Sequence, residues 1–94
     1  MKISSIVTSE YNKCFICGSE RNLECHHVFF GTGNRKLSDT YGLVVPLCNH
    51  CHRGIHGVHN NYKLDLHIKQ YAQMMFEKEY SFEKFMEVFK KNYR

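Results

Sequence analysis

The stretch 48–56, Cys-Asn-His-Cys-His-Arg-Gly-Ile-His, carries two kinds of metal ligand side by side. Cys48 and Cys51 have the spacing of a zinc knuckle, which allows both thiolates to bind one tetrahedral ion. His52 and His56 have a four-residue spacing, so on a helix their imidazoles share one face and can bind a second ion. Adjacent helical residues point about 100° apart, so Cys51 and His52 are suited to different metals. We therefore predict one short helix that contacts two metal ions.

A second knuckle lies upstream, at residues 14–17, and Gly18 suits the tight turn there because glycine tolerates positive φ. The two knuckles together predict one structural Zn²⁺ bound by four thiolates, those of Cys14, Cys17, Cys48 and Cys51. Disulfides are the alternative, but the cysteines number five and the N-terminal residues lack the apolar run of a signal peptide. Cys25 has no partner in this pattern, and we expect a small buried side chain there.

The length, net charge and composition of the chain limit the classes of protein to consider. A chain of 94 residues predicts one domain, 1–94, whose small core would benefit from a structural metal. The net charge of +4 is compatible with a nucleic-acid partner without requiring one. No apolar run is long enough for secretion or for a membrane span, so we expect an intracellular, cytoplasmic protein with no membrane partner.

The elements that must position these ligands are those of a small α+β domain. Residues 22–30 suit a strand, 31–36 a flexible basic loop, and 43–47 the returning strand, with Pro46 near its end. Apolar residues then recur at helical spacing over about 63–79, and Ser81 can cap a last helix over about 81–91. We interpret these two C-terminal helices as packing for the metal-bearing part. For residues 1–11, a short strand and a loose arm both stay open.

The histidines of the first strand are candidates to complete the second metal site. Successive side chains on a strand point to opposite faces, so His26 and His27 should differ in role. One of them can bind the ion while its neighbour accepts a proton, since the unperturbed pKa of imidazole lies near neutral pH. Glu24, on the same strand, either orients a histidine or is merely solvated.

As a set, Glu24-Cys25-His26-His27 followed by Leu47-Cys48, Cys51-His52 and His56 resembles the HNH (ββα-metal) endonuclease superfamily. The resemblance covers about residues 14–59 and is to the zinc-stapled, treble-clef branch common in phages and mobile elements. It implies a treble-clef zinc scaffold that presents a ββα-metal motif.

The resemblance implies hydrolysis of nucleic-acid phosphodiester bonds, with DNA expected before RNA. It makes His27 the general base that activates water. It makes His26, His52 and His56 the ligands of one catalytic divalent ion, which is Mg²⁺, Mn²⁺, Ni²⁺ or Zn²⁺. A homodimer or a protein partner would be needed for such a small nuclease to cut both strands in concert.

One position departs from the family pattern. Many members carry an asparagine on the second strand that braces the metal-binding loop, and Leu43 occupies that place here. Asn34 and Asp39 are candidates to take over the role.

Several basic residues near the motif are candidates for binding phosphate groups, namely Arg35, Lys36, Arg53 and His59. Two other functions stay open at this point. The first is a zinc module that binds nucleic acid without cutting it. The second is a protein-interaction adaptor that presents an exposed surface formed by Phe82, Phe85 and Phe89.

Overall fold

The structure, a computed structural model, describes residues 4–94. In chain order its elements are strand β1 (Leu23–His27), helix α1 (Asn34–Tyr41), strand β2 (Val44–Cys48), helix α2 (Asn49–Arg53), a 3₁₀ turn (Val58–Asn60), helix α3 (Tyr62–Glu79) and helix α4 (Phe82–Phe89). The prediction of an α+β fold is confirmed. Residues 1–3 of the N-terminal segment lie outside the described residues, and from Ser4 to β1 the chain has no strand or helix. Among the described residues, no helix is both long and apolar enough to cross a bilayer.

Strands β1 and β2 form a two-stranded antiparallel sheet in which Leu23 lies opposite Cys48 and His27 opposite Val44. The first strand is shorter than predicted because the Ser38 hydroxyl bonds both the N–H and the carbonyl of Phe29, groups that a longer strand would pair. Pro46 lies in the middle of β2 rather than near its end. The sheet tolerates it because, in an antiparallel pair, every second residue points its N–H away from the partner strand.

Helix α1 occupies much of the segment predicted as a flexible loop, and that prediction is wrong from Asn34 onward. Ser38 is fully buried, and its hydroxyl attaches the helix to the chain just after β1. Gly42 ends the helix in the left-handed conformation (φ 70°), and its N–H bonds the carbonyls of Ser38 and Asp39. The tertiary hydrogen bonds of Ser38 therefore support α1, together with Leu37 and Tyr41, which lie one helical turn apart and pack against the core.

Helix α2 is shorter than predicted, and this changes which histidines can meet. It begins at Asn49 and ends at Arg53, because Gly54 adopts an extended conformation (φ −69°, ψ 175°). His56 lies beyond the helix and is exposed. The prediction that α2 carries His52 and His56 one turn apart is therefore wrong.

Helices α3 and α4 agree with the predicted spans to within one or two residues. Asn61 caps α3 by accepting from the Leu64 N–H, and Ser81 caps α4 by accepting from the Lys84 N–H. The core between these helices and the strand segment is aromatic and includes Phe29, Phe76, Phe85 and Phe89, all buried. Because Phe85 and Phe89 are buried and only Phe82 is exposed, the three do not form the exposed surface that an adaptor would require.

Candidate metal and catalytic site

The four paired cysteines come together although 31 residues separate Cys17 from Cys48. Their Sγ atoms all lie within 4.8 Å of one another, and those of Cys17 and Cys48 are 3.6 Å apart. Sulfur ligands of a tetrahedral zinc lie about 3.8 Å apart, given Zn–S bonds of about 2.3 Å. The predicted clustering is confirmed, and the arrangement could hold a zinc ion.

The local backbone supports this cluster. Gly18 adopts φ 79°, as predicted for the turn of the knuckle, and its N–H bonds the Cys14 carbonyl at 2.9 Å. Burial opposes ionisation of Cys14, but hydrogen bonds from the N–H groups of Cys17, Cys48 and Ile16 outweigh it and lower the pKa to about 7. Burial and the neighbouring thiols raise the pKa of Cys51. Thiols crowded in this way ionise together only with a cation among them, which fits the donor set of structural zinc.

A second cluster contains three histidines from three elements: His26 on β1, His52 on α2 and His59 in the 3₁₀ turn. One ring nitrogen of each lies within 4.8 Å of the others. His59 was predicted to bind phosphate, and His56 was predicted to bind the ion. The structure instead brings His59 to His26 and His52, and it does not bring His56 there.

Glu24 determines which nitrogen of His52 faces the cluster. The Nδ1–H of His52 donates to Glu24 Oε1 at 2.6 Å, and Arg53 Nε donates to the same oxygen at 3.1 Å. The hydrogen bond from His52, aided by Arg53 and Asn49, lowers the pKa of Glu24 to about 2. With Nδ1 protonated, His52 Nε2 carries a free lone pair. A carboxylate that orients a histidine in this way is typical of metal sites.

The other two histidines leave a place for a cation. His59 Nε2 lies 3.0 Å from His52 Nε2, so the pair needs either a proton on His59 or a cation bound by both lone pairs. His26 is 1% exposed, and its Nε2 has no hydrogen-bond partner among the described residues. Burial, reinforced by His52 and His59, lowers the pKa of His26 to about 3, so this ring stays neutral. A neutral, buried, unpartnered imidazole nitrogen fits a metal ligand.

His27 lies outside this cluster, so it differs in role from His26 as strand alternation predicts, and it contacts α1. Its Nε2 lies 2.8 Å from Asp39 Oδ1. Since an ionised carboxylate only accepts hydrogen bonds, Nε2 carries the proton and Nδ1 carries the lone pair. Asp39 was one of the two residues named for the bracing role, and it contacts His27 directly.

The three clustered histidines and His27 line one cleft of about 170 Å³. Its full lining is Cys25, His26, His27, Phe30, Arg35, His52, Arg53 and His59. Arg35 and Arg53 come from different helices, α1 and α2, and both line the cleft. Lys36 is exposed on α1 but does not line the cleft. A larger cleft of about 590 Å³ lies between the N-terminal segment and α3, and its lining contains none of the clustered histidines. The chemistry is therefore concentrated in the smaller cleft.

Comparison of the chain with protein-family models, with curated proteins and with solved structures gave no match.

Proposed function

We propose that this chain is a metal-dependent endonuclease that hydrolyses phosphodiester bonds in DNA. One observation carries the proposal: the ring nitrogens of His26, His52 and His59 converge in the cleft that also contains the His27–Asp39 pair. Three nitrogen donors beside an independently held imidazole are the components of a hydrolytic metal site, whereas a structural site is closed by four ligands.

The resemblance to the HNH superfamily supports the same function. Adjacent histidines on the first strand, an antiparallel return strand and a helix that carries the next histidine follow the order of a ββα-metal motif. We propose that the four-cysteine cluster serves as the treble-clef zinc scaffold of this motif. In this chain His59 takes the place that the resemblance assigned to His56.

The residues of the cleft divide the chemistry among them. His27 accepts the proton of the attacking water at Nδ1, while Asp39 holds the ring and stabilises its protonated form. Arg35 and Arg53 bind the phosphate oxygens and orient the substrate in the cleft. A divalent ion bound by His26, His52 and His59 would act as a Lewis acid toward the charge that develops on the phosphate and the leaving oxygen.

The donor set also narrows the choice of ion. Three imidazole nitrogens suit Zn²⁺ or Ni²⁺, whereas Mg²⁺ prefers oxygen ligands and retains its water. Glu24 has the carboxylate oxygens that Mg²⁺ prefers, but His52 and Arg53 already hydrogen-bond to it. We therefore expect cleavage to be supported better by zinc or nickel than by magnesium.

A plasmid-nicking assay of wild type, His27→Ala and His50→Ala tests the proposal. His50 is an exposed histidine of α2 that does not line the cleft, so its variant is a matched control. We expect wild type and His50→Ala to nick DNA equally, and His27→Ala to be slower by about 10²- to 10⁴-fold, the usual contribution of a general base.

Two outcomes would contradict the proposal. One is nicking by His27→Ala at the wild-type rate. The other is binding of DNA by the wild type without cleavage when zinc, nickel, manganese and magnesium are each supplied. The second outcome would favour the zinc module that binds nucleic acid without cutting it.

A further inference from the structure

An isolated apolar side chain lies in the turn that follows α2, two residues after Arg53, which lines the cleft. Ile55 is 83% exposed, more than any other large apolar side chain of the described residues. Single exposed apolar residues are common on protein surfaces, so exposure alone carries no function. The hydrogen bonds of the turn and its position in the chain indicate a more specific role for Ile55.

The turn that presents Ile55 is held by hydrogen bonds on both sides. Gly54 N–H bonds the His50 carbonyl at 3.0 Å, and Gly57 N–H bonds the Gly54 carbonyl at 2.9 Å. The Asn60 side chain donates to the same Gly54 carbonyl at 2.9 Å. The turn is therefore a constrained structure that keeps Ile55 in water.

The two glycines allow this turn to pack closely against α2. A Cβ atom on Gly57 would lie 2.9 Å from the Cys51 carbonyl oxygen, and one on Gly54 would collide with the carbonyl of His50. Exposure of Ile55 is thus a consequence of the backbone packing and not of a loosely attached loop tip.

Both ends of the turn belong to the wall of the cleft. Arg53 lines the cleft before the turn, and His59 lines it after the turn. Consecutive Cα atoms are about 3.8 Å apart, so the Cα of Ile55 lies within about 8 Å of that of Arg53. Two base steps of a duplex span about 7 Å along its axis. The Cα separation of Arg53 and Ile55 is thus comparable to two base steps, so a duplex with a phosphate at Arg53 brings neighbouring base steps to the region of Ile55.

The charge around Ile55 indicates which kind of ligand would contact this side chain. Arg53 and Arg35 flank the cleft, and the net charge of the chain is +4. This environment attracts a polyanion whose only extended apolar surface is its stack of bases. Inserted apolar side chains of this type unstack base steps and kink duplex DNA.

We infer that Ile55 is a wedge that inserts into the base stack of duplex DNA next to the phosphate held in the cleft. The inference rests on the proposed function and specifies its substrate as a duplex that is locally unstacked on binding. The rigid turn allows the wedge to act without an ordering cost in the protein.

Fluorescence of 2-aminopurine in a short DNA duplex tests the wedge, because unstacking raises the emission of this base. The duplexes carry the probe at successive positions, and every protein carries His27→Ala to prevent cleavage. The variants are Ile55→Ser and, as a control, Met74→Ser. Met74 lies on α3, is 39% exposed and does not line the cleft.

We expect emission at one probe position to rise with the parent protein and with Met74→Ser, but not with Ile55→Ser. Ile55→Ser should also bind the duplex about 10-fold more weakly, since it loses most of the burial of an apolar side chain. Its thermal unfolding midpoint should be unchanged because the side chain is already in water.

Equal emission and affinity for the parent and Ile55→Ser would overturn the inference. So would concentration-dependent dimerisation that is lost in Ile55→Ser without any effect on DNA, because the occupant would then be a second copy of the chain. These outcomes are separate from the nicking assay, which uses the protein with His27 intact. Failure of nicking with a positive fluorescence result would refute the nuclease and leave the wedge in place.

Discussion

At the scale of single residues, the histidines of the cleft differ in their hydrogen bonding. Glu24 holds His52 with Nε2 free, Asp39 holds His27 with Nδ1 free, and His26 Nε2 is buried with no partner among the described residues. The same side chain is therefore suited to two roles, metal ligand and proton acceptor, and hydrogen bonding and burial decide between them.

Two variants distinguish His56, the ligand predicted from the sequence, from His59, the residue that the structure brings to the cluster. His59→Ala should weaken metal binding at the histidine site by more than the 10- to 100-fold typical of losing a residue that only hydrogen-bonds to a metal ligand. His56→Ala should leave the affinity unchanged, because His56 is exposed and outside the cluster. Calorimetric titration of Ni²⁺ into protein whose cysteine site is loaded with zinc measures both. The reverse order of effects would contradict the role of His59.

At the scale of elements, α1 brings Asp39 to His27 across 12 residues of sequence. The buried hydroxyl of Ser38, the residue before Asp39, attaches this helix by bonding both backbone groups of Phe29. The residue that orients the proposed base therefore depends on a hydrogen bond in the core. Helix α2 shows the same dependence, since its end at Arg53 determines that His59 rather than His56 reaches the cluster.

Ser38→Ala tests the attachment of α1. The substitution leaves the buried N–H and carbonyl of Phe29 without their partner, which should lower the free energy of unfolding by about 1–3 kcal/mol. Thr40→Ala is the matched control, because Thr40 is exposed on the same helix and bonds only the Lys36 carbonyl. We expect it to change the free energy by less than about 0.5 kcal/mol. Urea unfolding measures both, and equal effects would show that Ser38 does not anchor the helix.

At the scale of the whole molecule, the cysteine cluster connects segments that are distant in the sequence. It links the knuckle at residues 14–17 to the end of β2 and to α2, and the residue after Cys51 is the clustered histidine His52. A zinc ion at the cysteines would therefore stabilise the helix from which the second cluster is built. In a chain of 94 residues, such a connection contributes a large share of the total stability.

Removal of one thiolate should show this dependence. Cys51→Ser should lose the zinc bound by thiolates and have a lower thermal unfolding midpoint. Cys25→Ser should retain the zinc and the wild-type midpoint, since Cys25 is outside the cluster. Metal analysis and the thiolate-to-metal absorption of the cobalt-substituted protein give the occupancy of the cysteine site. Loss of zinc from Cys25→Ser to the same extent would refute the assignment of four ligands.

The sequence by itself determined the features that follow from local spacing. The two knuckles predicted the four-cysteine cluster, because two residues between thiolates suit one ion wherever the pairs meet. Strand alternation separated His26 from His27, and helical periodicity with the cap at Ser81 predicted the C-terminal helices. Each of these patterns is a spacing between residues that are close in the sequence, so it can be recognised without knowledge of the folded chain.

Only the tertiary structure decided which residues complete the site. The partners of His52 and His27 lie 28 and 12 residues away in sequence, and no local pattern selects them. Helix α1 was missed because its support is tertiary, namely the buried hydrogen bonds of Ser38 and the packing of Leu37 and Tyr41 against the core. The choice of His59 over His56 depends on a turn of the backbone after Arg53. Long-range hydrogen bonds and close backbone packing form only when distant segments meet, so spacing along the chain could not reveal them.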